Sequence, residues 1–240
     1  MSTVLAIDTS ATPVSCALLR EGRLLASHYS HTGLTHRQTL LPMIEQVLAA
    51  AALTVDKLDA LAVNAGPGSF TGVRIGVATV KGLAFAHKIP CVSVSTLACM
   101  AEGFAGMPGE AVIACVMDAR CRQVYAALFK LKGGQIERLT PDEAISVDEL
   151  QNRLKNVEFP IILVGDGSEM CYTILKDELC NLTLAPLALR YQNAVATAAI
   201  ASRLFEAGET VPADKLLPTY LRLPQAEREL RQRQQAAENK

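Results

Sequence analysis

The sequence predicts an α/β fold of two lobes built to one plan, with mixed sheets flanked by helices. Three observations carry that prediction. Apolar runs of strand character alternate with segments of helical period along the chain. The order of three strands, helix, strand, helix, strand, helix fills residues 1–105, and after "GMPGE" (Gly106 to Glu110) it begins again. A shift of 110 positions, without gaps, places Asp8 on Asp118, Val14 on Val124, Ala17 on Ala127 and Leu18 on Leu128, within the first hairpin of each half.

In the first half, "TVLAID" (Thr3 to Asp8), "VSCALL" (Val14 to Leu19) and "RLLASHYS" (Arg23 to Ser30) read as strands, with Glu21-Gly22 as a tight hairpin turn. A helix follows from His36 to Ala52, because Leu40, Leu41, Ile44, Val47, Leu48 and Ala51 recur at helical spacing. Pro42 inside that pattern predicts a kinked or late first turn. Next come the strand "ALAVNAG", a helix from Thr71 to His87, the strand "PCVSVS" and a helix from Thr96 to Phe104. In the second half "AVIACVMD", "QVYAALFKL" and "QIERL" are strands, with Gly133-Gly134 turning between the last two. A helix from Val147 to Leu154, the strand "PIILVGD", a helix from Ser168, a short strand near Leu182 and a long helix from Asn193 to Ala207 complete it. Two such lobes describe the actin-like, RNase-H-like (ASKHA) architecture. The expected domains are 1–105 and 106–222, the long helix near 193–207 packing back on the first lobe, and a charged tail over 223–240 that is solvated or frayed.

Composition narrows the function. Half of the 240 residues are hydrophobic and 20% are charged, enough for a sizeable core. A net charge of −1 argues against tight nucleic-acid binding by this chain alone, which calls for a basic surplus. Seven cysteines, with no CxxC pair, do not spell a structural zinc site, and in apolar runs they read as reduced core thiols. The four histidines form no HExxH or HxxxH pair, so no metal site is expected. No stretch approaches the ~20 apolar residues of a membrane span. The start "MSTVLAIDTS" lacks the basic region of a signal peptide. A soluble, cytoplasmic protein without a membrane partner is the expectation.

Three turns are candidate ligand sites. Asp8-Thr9-Ser10 ends the first strand; there an acid and two hydroxyls suit a metal-bound phosphate, but a turn needs these residue types anyway, so an Asx turn is the stronger reading. Gly66-Pro67-Gly68-Ser69-Phe70-Thr71-Gly72 leads from a strand into a helix, where free N–H groups favour anions and Ser69 or Thr71 can cap. It has neither the GK[ST] of a Walker loop nor the GxGxxG spacing, so a structural turn is the stronger reading. Gly165-Asp166-Gly167-Ser168 opens a helix in the second half and also reads as a plain turn first. Phosphate contact, if made, falls on Asp8, Thr9, Ser10, Gly66, Gly68 and Gly167.

The helix after the glycine turn carries only Arg74, Lys81 and His87 as strongly polar side chains. A helix that is apolar nearly all round is buried nearly all round. One side rests on a sheet, and no later segment obviously covers the other. The expectation is a protein interface over Gly68, Ser69, Phe70, Thr71, Gly72, Arg74, Ile75, Gly76, Ala78, Thr79, Lys81 and Gly82. In it the four-residue spacings Gly72–Gly76 and Ala78–Gly82 would let a partner helix come close.

"VLAIDTS" and "NAGPGSFTGVRIG", with the strand and helix order around them, resemble the bacterial TsaB (YeaZ-like) family over nearly the whole chain. The resemblance implies an accessory, non-catalytic role in forming threonylcarbamoyladenosine at position 37 of tRNA. The partners it implies are the catalytic relative TsaD, the ATPase TsaE and a second copy of this chain, with tRNA reached through the complex. It assigns no firm cofactor; ATP or ADP between subunits is the one to consider. The catalytic relative carries an HxxxH metal segment after its "GIP" strand, where this chain has Thr96 and Met100, neither of which supplies an imidazole. No catalytic residue is assigned. The competing readings are an active actin-like nucleotide hydrolase or kinase, and a protease acting on its paralogue.

Overall fold

The computed structural model describes residues 2–222; the expected tail over 223–240 lies outside them. In the first half β1 (Thr3–Asp8), β2 (Val14–Arg20) and β3 (Arg23–Ser30) are followed by α1 (His36–Ala50), β4 (Ala60–Gly66), α2 (Phe70–His87), β5 (Cys91–Ser95) and α3 (Thr96–Glu102). The second half runs β6 (Glu110–Asp118), β7 (Gln123–Lys132), β8 (Gln135–Arg138), β9 (Glu143–Ser146), α4 (Val147–Leu154), β10 (Ile161–Val164), α5 (Ser168–Leu175), β11 (Leu182–Leu184) and α6 (Ala194–Glu206). Glu21 and Gly22 both take positive φ, as a two-residue hairpin turn of matching twist requires. Pro42 stands inside α1 on its exposed side, and the helix starts at His36 rather than late.

The duplication is explicit in the topology. One sheet has the order β3-β2-β1-β4-β5 and the other β8-β7-β6-β10-β11, so the central strand of each is its first in sequence. In both, the first strand pairs antiparallel with the second and parallel with the fourth member of the plan. This is the actin-like α/β fold that the sequence predicts. β9 is an addition, pairing with the first part of β7 where β8 leaves off. Its four residues, EAIS, are all half-buried and too short to show a period.

The shift of 110 does not survive as a register. Asp8 faces Ser15 across the first hairpin, whereas Asp118 faces Val124. The second hairpin is tighter by one residue, and a one-residue slip exchanges the faces of a strand. Leu5 and Ile7 therefore point to the outer helices, while Cys115 and Met117, their counterparts by number, point inward. Asp118 is not the structural equivalent of Asp8, although Val14, Ala17 and Leu18 do keep the faces of Val124, Ala127 and Leu128.

Five layers result. α1 and α2 cover the outer face of the first sheet through Leu40, Ile44, Val47, Val73, Val77 and Val80. α4 and α5 cover the outer face of the second through Leu150, Leu154, Cys171 and Leu175. Between the sheets lie α3 and α6, and they are exchanged relative to chain order. α6, late in the sequence, lays Ala194, Ala198 and Ala201 on Val4, Ala6, Ala62 and Val94 of the first sheet. α3, early in the sequence, packs Leu97, Met100 and Ala101 against Ile113, Cys115 and Met117 of the second. The alanines of α6 fit because small side chains let a helix lie close to a sheet whose inner face is itself built of Ala and Val. Packing thus crosses the expected 105/106 boundary in both directions.

Candidate functional site

The Asp8–Thr9–Ser10 turn leaves β1 and is closed over by residues 66–72. Asp8 is 1% exposed, and Thr9 and Ser10 are fully buried. Asp8 Oδ1 accepts from the Ser10 amide at 2.8 Å and from the Ser10 hydroxyl at 2.6 Å, an Asx turn. The Thr9 hydroxyl donates to the Gly72 carbonyl at 2.7 Å, and the Ser69 amide donates to the Ser10 carbonyl at 2.7 Å. Burial pushes the Asp8 carboxyl above its usual range, against the two Ser10 bonds, and its Oδ2 has no partner. Behind it the Thr197 hydroxyl donates to Asn64 Oδ1 at 3.1 Å, linking α6 to β4.

The glycines explain how the loop comes so near. A Cβ on Gly72 would stand 2.1 Å from the Thr9 carbonyl oxygen, and one on Gly76 would stand 2.5 Å from Thr9 Oγ1 and 3.1 Å from Val63 Cγ2. This corrects the expected interface: Gly72 and Gly76 face inward and serve an approach within the chain. The expected phosphate set is corrected as well. Asp8, Thr9, Ser10, Gly66 and Gly167 are buried, with the Cβ positions of Gly66 and Gly167 taken up by Thr219 and Asp118. Of that set only Gly68 lines the open cleft between the lobes.

That cleft has a volume of about 950 Å³ and is bordered by Thr12, Thr35 and Ser69 on one side and by Asp118, Arg120 and Asp166 on the other. Asp166 Oδ1 accepts from the Asp118 amide at 3.1 Å, and Asp118 Oδ1 from the Arg120 amide at 2.7 Å. Although Asp166 as a residue is exposed to the cleft, desolvation of its carboxyl, offset in part by the Asp118 amide and assisted by the Asp118 charge, pushes it up to about 6.

α2 is capped by Ser69, whose hydroxyl accepts from the Gly72 amide at 3.3 Å, and it ends on Lys88 in the left-handed region. Its inward side is Val73, Val77, Val80 and Ala84. Thr71, Arg74, Ala78, Gly82 and Phe85 are exposed, while Phe70, Ile75, Thr79 and Lys81 are half-buried. Phe85, at 78% the most exposed large apolar side chain of the described residues, falls outside the set expected from sequence. On neighbouring α1, Leu41 is 51% exposed.

A later segment does cover part of α2, which the sequence did not disclose. Lys81 Nζ donates to the carbonyls of Asp214 and Leu216 at 3.3 and 3.2 Å. Leu216 is buried in the core under α2. The Thr219 amide donates to the Ala65 carbonyl at 2.7 Å. Tyr220 lies on Phe70, with ring centroids 5.0 Å apart, and its hydroxyl accepts from Arg74 Nε at 2.8 Å. The uncovered remainder of the helix is its later outward face.

All seven cysteines are free, and only Cys121 and Cys180 are exposed. Burial pushes Cys16 and Cys171 up to about 12 and Cys91 and Cys99 to about 11. Among the described residues no three His, Cys, Asp or Glu side chains converge as a metal site, and Thr96 and Met100 are core residues. No helix among them is long and apolar enough to cross a membrane.

Over residues 30–230 the chain matches the family model described as TsaD: tRNA N6-adenosine threonylcarbamoyltransferase. The tRNA threonylcarbamoyladenosine biosynthesis protein TsaB of Bacillus subtilis is 31% identical over 225 residues, which cover 94% of this chain and 96% of that protein. The Escherichia coli protein of the same name is 32% identical, covering 91% and 94%. The solved structure of YeaZ from Pseudomonas aeruginosa has a TM-score of 0.74 at 32% identity, over 92% of this chain and 100% of that one. Component A of the (R)-2-hydroxyglutaryl-CoA dehydratase of Acidaminococcus fermentans, with a TM-score of 0.50 and 13% identity, shares the fold alone.

Proposed function

This chain belongs to the TsaB family of tRNA threonylcarbamoyladenosine biosynthesis proteins, and from that premise we propose that it is a non-catalytic scaffold subunit for threonylcarbamoyl transfer to adenosine 37 of tRNA. Its partner is the catalytic relative TsaD, with TsaE as the ATPase; a second copy of this chain takes the same face when TsaD is absent. Transfer RNA is reached through the complex, and ATP or ADP, where used, sits between subunits.

One observation carries the reading against a nucleotide hydrolase or kinase. The turn that would hold a phosphate in an actin-like enzyme is sealed by the chain's own glycine loop, with the Thr9 and Ser10 hydroxyls turned to internal acceptors. The docking face is then the later outward side of α2, with Ala78, Gly82 and Phe85, together with Leu41 of α1. The spacing of Ala78 and Gly82 suits a close helix, and burying Phe85 supplies about 1.5–3 kcal/mol.

Two measurements test this. The purified chain alone turns over no ATP, while TsaD and TsaE form threonylcarbamoyladenosine in vitro only when it is added. Phe85→Asp, on a side chain that supports no part of the fold, lowers affinity for TsaD by roughly 10- to 100-fold. Steady ATP hydrolysis by the isolated chain, or normal TsaD affinity in the variant, is the result that overturns the proposal.

A further inference from the structure

The segment that follows α6 does more than cover apolar surface. Val211 pairs with Cys91 at the edge of the first sheet, Leu216 enters that lobe's core, and Thr219 closes on the end of β4. The approach there is tight, since a side chain at Gly66 would meet the Thr219 carbonyl oxygen at 2.3 Å. All of these anchors belong to the first lobe. Three residues later the chain has crossed the cleft: Arg222 Nη1 donates to the Ala119 carbonyl of the second lobe at 2.6 Å. Tyr220 and Arg222 both line the cleft. Between the anchors and the crossing stands Tyr220, held by Phe70 and Arg74 on the first turns of α2. The Arg74 guanidinium itself lies 3.8 Å from the centre of the Phe70 ring.

We propose that residues 216–222 are a clasp that holds the two lobes at one opening and ties that opening to α2 through Tyr220. Arg222 is the hook. It grips a loop in which Arg120, Cys121 and Arg122 all take positive φ, a conformation that costs energy in non-glycine residues. Arg74 and Tyr220 set where the hook can reach. These contacts are solvent-shared polar and stacking contacts, each of a strength that shifts a two-state population only several-fold. A clasp built from them is releasable, whereas the buried anchors at Leu216 and Thr219 are not. Because Arg74 stands on the same helix that carries the proposed docking face, an event on α2 alters the spacing of the lobes. That last step rests on the scaffold reading; the clasp itself does not.

The test measures the distance between lobes in the full chain. Spin labels are placed on Gln46→Cys in α1 and Asn152→Cys in α4, both exposed, in a background with the exposed thiols removed as Cys121→Ser and Cys180→Ser. The parent gives one narrow distance. Arg222→Ala and Tyr220→Ala add a second, with the open fraction raised roughly five-fold, as the loss of one such hydrogen bond implies. Arg74→Ala, which removes the hydrogen bond to Tyr220 and the contact with the Phe70 ring, gives the same second distance. Parent-like distances in Arg222→Ala and Tyr220→Ala overturn the clasp. A parent-like distance in Arg74→Ala alone overturns the tie to α2. Thermal denaturation of each variant, expected to stay cooperative, separates release from unfolding. Saturating TsaD moves the parent toward the open distance. Failure of TsaD to do so while Arg74→Ala is open counts against the docking face on α2 and leaves the clasp standing.

Discussion

Gly72 and Gly76 show what a residue's type can and cannot say about its task. Their four-residue spacing places them on one side of a helix, and the sequence has no means of telling which side when valine, isoleucine and alanine surround the whole circumference. The side is decided by Thr9, 63 positions before Gly72 and in reach only after folding. Gly72→Ala is therefore expected to lose about 1–3 kcal/mol by overpacking, outweighing the ~1 kcal/mol that alanine gains in a helix. Chemical denaturation measures it, and an unchanged midpoint would show that the loop yields. The Asp8 turn, by contrast, was legible as an Asx turn because that bond is made within three residues. Its burial was not, because the cover arrives from residues 66–72. Asp166 supplies a pH prediction. Its carboxyl is raised from 3.8 to about 6, so the stability it contributes is present below about pH 4 and is lost as pH climbs through about 6. Asp166→Asn keeps an acceptor for the Asp118 amide and removes that loss. Its melting temperature should match the parent at pH 4 and exceed it at pH 7.5; a constant gap would reject the assignment. Thiol alkylation of the native protein should modify Cys121 and Cys180 and spare the five buried cysteines.

At the scale of elements, apolar patterning and the repeated order of the two halves identified every α-helix and all but one strand of the described residues. The exception, β9, is four residues with no alternating face. What periodicity cannot supply is the partner of an element. α2 reads as apolar all round, and the natural inference is a neighbouring protein along its whole length. Part of the cover is instead a stretch of 213–222 with little period of its own, whose grip depends on two backbone carbonyls and one tyrosine. The uncovered part is smaller and carries Phe85, which a closer count of large apolar side chains in the last turn would have flagged. Ala78→Trp, like Phe85→Asp, should leave the melting temperature within about 1 °C of the parent, since neither side chain supports the core. Retained association with TsaD by the tryptophan variant would mean that a partner helix does not lie close at this point.

For the whole molecule, the duplicated order of strands was readable because two lobes repeat one connection scheme, and the return of the long helix near 193–207 to the first lobe was expected, whereas the crossing of α3 to the second sheet was hidden because nothing in that helix names its sheet. The exchange has a measurable result. A fragment of residues 1–107 contains all five strands of the first sheet yet lacks α6, leaving Val4, Ala6, Ala62 and Val94 bare on one face. It should show no cooperative melting by circular dichroism and should bind a hydrophobic dye, and a sharp transition would argue that the lobe is autonomous. The same arrangement bears on how the protein is made. A ribosome releases the first strand long before the helix that shields it, and at ~5–20 residues per second the wait is roughly ten to forty seconds. Through that interval the nascent first sheet has sticky alanine and valine turned toward whatever is near. A helix made long after the strands it shields thus acts as the protein's own chaperone, and a stop codon placed before it would spoil the beginning of the chain as surely as its end.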